Sequence, residues 1–389
     1  MTSDRDEAAG IGRLFAEMAE QVFSRLPLYR RLAEGAASDL EVAGRLLLAP
    51  SEQRVPNLLL AAVHDVLLAG ELDPLADWYP SVPAERGGSG HRARPVGHGV
   101  DDPWPHFRHL ALEHEGVAER LRTRATQTNE VGRSLALVPA LFQAALAAGG
   151  SPPGGVRPLG LVEIGASAGL NLRLGAYGYR YEVPTQTEAR HVVESVGSSS
   201  RLVLECLLRG PLVPPLPEGG LAIATAVGID ERPVSVGRGE DARWLVACHW
   251  PEEVERLDQL RAALALAREE PPVVEAGDAV DDVARHLLAV PAHALPVVVS
   301  TWVLTYLSVA RQVELLAVLD EVGAQRNLAL VFAEQPERVP GIPVPVRPDG
   351  QPDGRATALV RIAWTGGRRE AVRLADMHPH GRWLEWLQP

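Results

Sequence analysis

The chain has 389 residues, with 38 Lys or Arg against 50 Asp or Glu, so its formal net charge at pH 7 is -12. This acidic balance argues against a nucleic-acid-binding protein, because phosphate recognition needs concentrated basic side chains. Two cysteines, Cys206 and Cys248, cannot build a disulfide framework or a four-cysteine zinc site. The partners that we expect are a small-molecule substrate or a protein partner subunit.

The N-terminus and the hydropathy of the chain bear on its location. The first ten residues, MTSDRDEAAG, are acidic and lack the apolar core of a signal peptide. The chain has no run of about 18 apolar residues, which a membrane-spanning helix would need. Because cysteines are few, a reducing compartment is the natural setting. We therefore expect a cytoplasmic protein that does not bind membranes.

Residues 1–150 are predicted to form a helical N-terminal region. Apolar side chains recur there at intervals of three or four residues, as at Ile11, Leu14, Phe15, Met18 and Val22. The stretches VPNLLLAAVHDVLLAG and VGRSLALVPALFQAALAAGG show the same spacing. No alternating strand pattern interrupts them.

Residues 151–389 show short apolar runs that alternate with helices, which is typical of an α/β domain. The runs lie at 159–164, 178–183, 221–229, 271–279, 295–304 and 328–335. Right-handed crossovers commonly link such runs, so we predict a mostly parallel, Rossmann-like sheet with helices on both faces. Thr365-Gly366-Gly367 predicts an antiparallel C-terminal hairpin at the edge of the sheet. We expect an insertion around residues 184–270.

The run at 159–164 ends in a glycine-rich turn, EIGASAG, at residues 163–169. Glycines let the backbone approach a ligand, and a helix N-terminus after such a turn is an anion or cofactor site. The motif resembles the first motif of the S-adenosylmethionine-dependent methyltransferase fold. The alternative is that the turn serves only to pack a helix closely on a strand, as in any doubly wound protein.

This resemblance implies a set of cofactor-binding residues. They are Glu163, Gly165, Ser167, Gly169, Asn171 and Asp278. Asp278 lies in VVEAGDAVDD, where this fold commonly places an acid beside the adenine. The acid that follows the second strand corresponds to Glu182. Carboxylates suit this task because they accept the hydroxyl and amine protons of the cofactor.

A second resemblance covers nearly the whole chain. Four segments are similar, in order, to the domain-of-unknown-function family 2332 of actinobacterial proteins: QTNEVGRSLAL (127–137), EIGASAGLNL (163–172), WPEEVERLDQLRAAL (250–264) and HPHGRWLEWL (378–387). The resemblance implies a fold similar to class I methyltransferases with a helical N-terminal part. It implies no particular reaction.

The segment QTNEVGR concentrates polar side chains at the start of an otherwise apolar helix. Thr128 or Asn129 could cap that helix while Glu130 favours its positive end. If the helix instead packs beside the carboxyl edge of the sheet, Glu130 could hold or deprotonate an amine. Arg133 could then clamp an anionic group, because a guanidinium binds carboxylate, sulfate or phosphate through two hydrogen bonds.

Asp230 and the sequence HPHG supply the remaining candidates. Asp230 follows the run at 221–229, so we expect it at the edge where open α/β sheets bind ligands, as a catalytic acid or as a solvated loop residue. His378 and His380 lack Cys, Asp or Glu at ligand spacing. We therefore predict no metal site, and we expect a hydrogen-bonded hairpin histidine instead.

These features predict an enzyme of small-molecule, secondary metabolism that promotes nucleophilic displacement at a saturated carbon. In its first form the enzyme transfers a methyl group from S-adenosylmethionine. An alternative form has no cofactor and closes an aziridine ring, in which a substrate amine expels sulfate or phosphate. Glu130 or Asp230 would then accept the amine proton, and Arg133 would bind the leaving anion. The third alternative is a non-catalytic binding or partner subunit.

Overall fold

A computed structural model of the chain describes residues 2–82, 93–148, 156–183, 191–195, 199–350 and 356–388. The helices are α1 (Thr2–Gln21), α2 (Pro27–Ser38), α3 (Leu40–Gly44), α4 (Pro56–Leu68), α5 (Trp104–Glu113), α6 (Glu115–Thr123), α7 (Ser134–Ala147), α8 (Gly239–Ala247), α9 (Val254–Glu269), α10 (Val283–Ala289) and α11 (Val309–Gln325). The strands are β1 (Leu159–Ile164), β2 (Gly178–Val183), β3 (His191–Ser195), β4 (Val203–Arg209), β5 (Ile223–Asp230), β6 (Val274–Ala276), β7 (Leu295–Thr301), β8 (Leu328–Glu334), β9 (Thr357–Thr365), β10 (Arg368–Met377) and β11 (Trp383–Trp386).

The chain forms two compact units, and the first comprises Met1–Thr128 and Arg238–Arg261. Its described residues form helices and contain no strand. Pro27 and Pro56 begin α2 and α4, where the missing N–H of proline leaves no hydrogen bond unmade. Every residue of α4 from Leu58 to Leu67 is buried, so this helix is surrounded on all sides.

The second unit comprises Asn129–Gly237 and Ala262–Pro389 and contains the sheet. Its strand order is β3-β2-β4-β11-β10-β9-β8-β7-β1-β5-β6. Six of the neighbouring pairs are parallel and four are antiparallel. The prediction of a mostly parallel sheet in an α/β protein is therefore confirmed.

The five strands β6, β5, β1, β7 and β8 form an uninterrupted parallel block. From β1 the block extends through β5 to β6 on one side, and the chain then crosses to β7 and β8 on the other. Strand β1 is therefore the point where the strand order reverses. Open α/β sheets bind ligands at the carboxyl ends of the strands beside such a point.

Helices lie on both faces of the sheet. Val162 and Ile164 of β1 join a core cluster with Leu287 of α10 and with Leu315 and Leu319 of α11. Side chains alternate between the faces of a strand, and Arg361 of β9, between two members of that cluster, donates instead to Gln143 of α7. Helix α7 therefore lies on the face opposite α10 and α11.

The predicted C-terminal hairpin is present, but it does not end the sheet. Strands β9 and β10 pair antiparallel on either side of Gly366 and Gly367, whose φ angles of +56° and +78° suit a two-residue hairpin turn. The hairpin lies inside the sheet, because β9 pairs with β8 and β10 pairs with β11. The edge strands are β3 and β6.

Two further expectations need correction. The glycine-rich turn leads into a seven-residue 3-10 helix, Leu170–Ala176, and not into an α-helix. Glu182 lies on β2, which six strands separate from β1, so it is not the acid beside the glycine-rich turn. The strand next to β1 is β5, and the acid at its end is Asp230.

The compact units divide the chain differently from the predicted domains. The predicted boundary at 150/151 falls in residues 149–155, which lie outside the described residues. Residues 129–148 belong to the second unit, whereas 238–261 belong to the first. Residues 184–270 are not a single insertion, because β4 and β5 within that range are strands of the sheet.

Candidate functional site

Two residues with strained backbones lie at the carboxyl ends of β1 and β7. Ser167 has a φ of +54° and Trp302 a φ of +57°, and no other non-glycine residue in the described ranges has a positive φ. Neighbouring groups hold both residues in place: Ser167 N donates to Asp230 Oδ2 at 2.8 Å, and Trp302 N donates to Ala333 O at 3.1 Å. Strain of this kind, imposed by surrounding contacts, is concentrated at functional sites in proteins.

The glycines of the turn at 163–169 are needed for packing. Gly165 and Gly169 have φ angles of +65° and +69°. A Cβ on Gly165 would lie 2.4 Å from a methyl carbon of Val303, and one on Gly169 would lie 2.8 Å from a methyl carbon of Val274. The amides of Gly165 and Ala166 donate to the carbonyl of Ile229. The close-packing interpretation of this motif therefore holds for its glycines.

The segment before α7 packs against the same turn. Asn129 Nδ2 donates to Ala166 O at 3.0 Å, and Asn129 Oδ1 accepts from Leu170 N at 3.2 Å. Ser134 Oγ donates to Asn171 Oδ1 at 3.3 Å. Residues 129–134 therefore lie at the carboxyl edge of the sheet, which is the position that the second sequence interpretation assumed.

Glu163, which ends β1 with Ile164, is a buried carboxyl group. Its Oε1 accepts from Asn171 Nδ2 at 2.8 Å, whereas its Oε2 has no hydrogen-bond partner among the described residues. Burial raises the pKa of Glu163 to about 8, against the opposing effects of the Asn171 hydrogen bond and of Arg133, while the negative charge of Asp230 raises it further. Glu163 is therefore mostly protonated at neutral pH.

Glu334, at the end of β8, is a second buried carboxyl group. Its Oε1 accepts from the amides of Val303 and Leu304 at 2.7 and 2.8 Å, and its Oε2 has no partner among the described residues. Burial raises its pKa to about 7, and the amides of Val303, Leu304 and Thr305, together with the charge of Arg133, oppose the shift. Two buried carboxyl groups, each with one oxygen unpartnered, thus lie at the ends of β1 and β8.

Arg133 connects the segment before α7 to two other parts of the edge. Its Nε donates to Pro379 O at 3.0 Å, and one terminal nitrogen donates to Thr301 O at 3.1 Å. The centre of its guanidinium lies 6.0 Å from the centroid of the Trp302 ring. Arg133 therefore orders this edge through backbone carbonyls, which leaves fewer N–H groups for an anionic ligand than the sequence analysis expected.

Glu130 pairs with a histidine of the HPHG turn. Its Oε1 accepts from Gly132 N at 3.2 Å, so Glu130, and neither Thr128 nor Asn129, caps the 3-10 helix Val131–Arg133. Its Oε2 lies 3.1 Å from His380 Nδ1. The expectation that Thr128 or Asn129 caps the helix is therefore wrong, while the segment does carry polar groups to the sheet edge.

The two predicted aspartates differ in position and in use. Asp230 ends β5 and accepts from Ser167 N and from Arg232 N, so it lies in the edge cluster. Asp278 follows β6 and accepts from the amides of Val280 and Asp281 and from Arg311. Its carboxylate thus fixes the turn before α10, and none of its hydrogen bonds joins it to Glu163, Glu130 or Asp230.

Sequence reasoning missed Glu334 and gave His380 no chemical role. The signal for Glu334 was present, because it ends the apolar run at 328–335 just as Glu163 ends the run at 159–164. No local pattern pointed to the pairing of His380 with Glu130. The described residues contain no group of three or more His, Cys, Asp or Glu able to hold a metal ion. No helix in the described ranges is long and apolar enough to span a membrane.

Comparison with known proteins identifies the family of the chain. Residues 13–386 match the model of a family described as uncharacterized protein conserved in bacteria, DUF2332. No curated protein and no solved structure matches the chain. Because the match extends over almost the whole sequence, the chain belongs to the DUF2332 family.

Proposed function

We propose that the carboxyl edge of β1, β5, β7 and β8 is the active site of an enzyme that promotes nucleophilic displacement at a saturated carbon of a small molecule. The observation that carries this proposal is the pair of unpartnered oxygens, Glu163 Oε2 and Glu334 Oε2, on carboxyl groups that are 3% and 0% exposed. Buried polar atoms in native proteins are normally hydrogen-bonded, so an unpartnered pair at a strained sheet edge indicates a ligand that supplies the missing hydrogen bonds.

The charges of the edge favour a cationic electrophile. The edge carries the carboxyl groups of Glu130, Glu163, Asp230 and Glu334, and a cationic ligand would favour the ionised forms of Glu163 and Glu334, whose pKa values are raised by burial. The guanidinium of Arg133 orders this edge by hydrogen-bonding through two of its N–H groups to backbone carbonyls. An anionic leaving group would be poorly stabilised here, whereas a sulfonium group loses its charge as it reacts. We therefore place S-adenosylmethionine-dependent methyl transfer first.

The residues present fit that cofactor through their acceptors. Asp230 and the ionised form of Glu163, which a cationic ligand would favour, would hold its amine and hydroxyl hydrogens, beside the backbone of Gly165, Ser167 and Gly169, while Asn171 orients Glu163. Asp278 stays outside this set because its carboxylate fixes a turn. When bound, the cofactor supplies an activated methyl group. The chain would bind the nucleophile, orient it and accept its proton.

One observation favours the cofactor-independent form. The amides of Gly165, Ala166 and Ser167 all donate to protein acceptors, so this turn has few N–H groups to offer the cofactor carboxylate. An aziridine-forming cyclase would need no such cradle. It would, however, need a cation for the departing sulfate or phosphate. This form is therefore our second proposal.

Isothermal titration with S-adenosylmethionine tests the first proposal. We expect saturable binding to the wild type, at least about tenfold weaker binding to Glu163→Gln because the amide cannot ionise to pair with a cationic cofactor, and unchanged binding to Glu205→Gln. Glu205 is a matched control because it lies on β4 with a side chain that is 53% exposed.

Absence of S-adenosylmethionine binding to the folded wild type would contradict methyl transfer. The cyclase would then be tested with vicinal amino alcohol sulfate esters, by following the release of inorganic sulfate. Inactivity toward those esters as well would favour the non-catalytic binding or partner subunit.

A further inference from the structure

The HPHG turn reaches the candidate site through an unusually close approach of two backbones. A Cβ on Gly132 would lie 2.5 Å from His380 O, and a Cβ on Gly381 would lie 2.0 Å from Gly132 O. Gly381 also has a φ of +74°. No side chain fits at either position, so the two glycines let the segment before α7 and the turn after β10 touch.

This approach joins a buried carboxylate to a partly exposed imidazole. The side chain of Glu130 is 2% exposed and that of His380 is 20% exposed. Their contact is 3.1 Å, between Glu130 Oε2 and His380 Nδ1. A substrate can therefore reach the imidazole more easily than the carboxylate behind it.

We propose that His380 is the general base of this site and that Glu130 is the residue that positions it. The proposal rests on the displacement reaction proposed above and names the group that accepts the proton. A carboxylate that accepts a hydrogen bond from Nδ1 holds that proton there and stabilises the imidazolium, so that Nε2 is the basic nitrogen of the neutral ring. Glu130 alone is poorly placed as the base, because its two oxygens are occupied by Gly132 N and His380.

The other histidine of the turn has a structural role. His380 N donates to His378 Nδ1 at 3.1 Å, so that nitrogen carries a lone pair. The ring of His378 also lies edge-on to Trp383, with centroids 6.4 Å apart. The titratable groups shown in contact with the His380 ring are Glu130 from the segment before α7 and His378 from its own turn, and the guanidinium of Arg133 binds the neighbouring carbonyl of Pro379.

The proton balance of the step is simple. The lone pair of the nucleophile forms the new bond to the saturated carbon, and the bond from that carbon to its leaving group breaks, with the electron pair departing on that group. The N–H or O–H bond of the nucleophile breaks, and its proton moves to Nε2 of His380. The resulting imidazolium is paired with the Glu130 carboxylate.

Modification by diethyl pyrocarbonate, located by mass spectrometry, tests the pair without a known substrate. The reagent acylates unprotonated imidazole, so its rate against pH reports the titration of each histidine. We expect Glu130→Gln, which retains an acceptor for Nδ1, to lower the midpoint of the His380 profile by about one pH unit and to slow the reaction at alkaline pH about threefold or more. His378→Gln, the matched control, should leave the midpoint within about 0.3 unit.

Two results would overturn the proposal. The first is that His380 stays unmodified in the folded wild type. The second is that the pH profile of His380 modification has the same midpoint in Glu130→Gln as in the wild type. If Glu130→Gln does not fold, nitrogen NMR of the wild type decides, because a proton found on Nε2 of the neutral ring contradicts the proposal.

The same reaction separates this inference from the proposed function. Added S-adenosylmethionine should slow the modification of His380 if the cofactor shares the site. If Glu130 sets the midpoint of the His380 pH profile but S-adenosylmethionine does not slow the modification, the assignment of the base stands and the cofactor is rejected.

Discussion

Buried carboxyl groups occur in both units, and their hydrogen bonding differs. In the first unit, Asp65 accepts from Arg120 and Arg243 with one oxygen each, and the partly buried Glu252 accepts from the first amides of α2 with both of its oxygens. In the second unit, Glu163 and Glu334 each keep one oxygen without a partner among the described residues. The proposed site therefore rests on the unused oxygens of its acids and not on their burial alone.

The largest expected effect concerns a carboxyl group whose oxygens are both used. Asp65→Asn removes a charge that is 4% exposed and leaves two partly buried guanidinium groups without their partner. We expect a loss of about 3–5 kcal/mol in the free energy of unfolding, measured by urea denaturation. Glu205→Gln, in a half-exposed pair with Arg180, should cost less than about 1 kcal/mol. Equal losses in the two variants would show that the buried Asp65 carboxylate contributes no more to stability than the half-exposed Glu205 carboxylate.

A smaller loss of stability is expected from a substitution in the glycine-rich turn. Gly165→Ala imposes a positive φ on alanine and presses its Cβ against Val303, for a combined loss of about 2–4 kcal/mol of stability. Gly366→Ala is the matched control, because its φ is also positive but nothing lies within 4 Å of the added Cβ. It should cost only about 1–2 kcal/mol.

A double variant isolates the steric part of that loss. Val303→Ala removes the methyl carbons that lie 2.4 and 2.6 Å from the added Cβ. The double variant Gly165→Ala/Val303→Ala should therefore be more stable than Gly165→Ala in the same urea titration. If it is less stable, the cost of Gly165→Ala lies in its backbone and not in Val303.

The pH dependence of stability tests whether Glu163 is protonated in the folded protein. Its folded-state pKa is raised from 4.5 to about 8, so between these values the folded protein keeps a proton that the unfolded chain loses. The contribution of this group to stability is complete below about pH 4.5 and is lost as the pH rises to about 8. Glu163→Gln cannot ionise. Relative to the wild type, it should gain about 1–3 kcal/mol of stability between about pH 5 and pH 8.

The first unit supplies an internal control for that titration. Burial lowers the pKa of His64 from 6.5 to about 4, so its contribution to stability is lost as the pH falls through this window. This acid limb should be the same in the wild type and in Glu163→Gln. A stability difference between the two proteins that does not change with pH would mean that Glu163 is ionised in the folded state.

The smallest effect concerns exposed apolar side chains near and far from the site. Tyr306, in the 3-10 helix after β7, is 84% exposed, and Leu72 of the first unit is 75% exposed. Tyr306→Ser and Leu72→Ser should each change stability by less than about 0.5 kcal/mol. We expect Tyr306→Ser to weaken S-adenosylmethionine binding a few-fold, because an aromatic side chain beside a ligand site covers apolar surface. Equal affinities of Tyr306→Ser and Leu72→Ser for S-adenosylmethionine would show that Tyr306 does not take part in binding.

The sequence predicted the buried strands better than the half-buried ones. Strands β1, β7 and β8 are buried at every position, and such strands form continuous apolar runs. Strand β4 alternates buried and exposed residues, with Glu205 and Arg209 exposed, and it was missed. Neighbours in the sheet were not predictable either, since periodicity carries no information about which strand pairs with β1.

The candidate site was predictable where its residues follow strands. Glu163 and Asp230 end neighbouring parallel strands, so the topology alone brings them to one edge. His380 could not be paired with Glu130 from the sequence, because their contact depends on the fit of Gly132 against Gly381 in the folded chain. Asp278 lies at the same edge, directly after Gly277, whose amide donates to Asp230 O, but its carboxylate is used by Arg311 and by the turn before α10.

The contact between the segment before α7 and the HPHG turn has a consequence for the order of events during synthesis. Arg133 and Pro379 are 246 positions apart. At typical rates of translation, the HPHG turn leaves the ribosome roughly 10–50 s after Arg133. Strands β1, β5, β7 and β8 emerge within that interval, while Glu130 still lacks its histidine. Ribosome-bound chains that end before residue 378 should therefore contain the parallel block without the Glu130–His380 pair, and reactivity at this edge should develop only when the HPHG turn arrives.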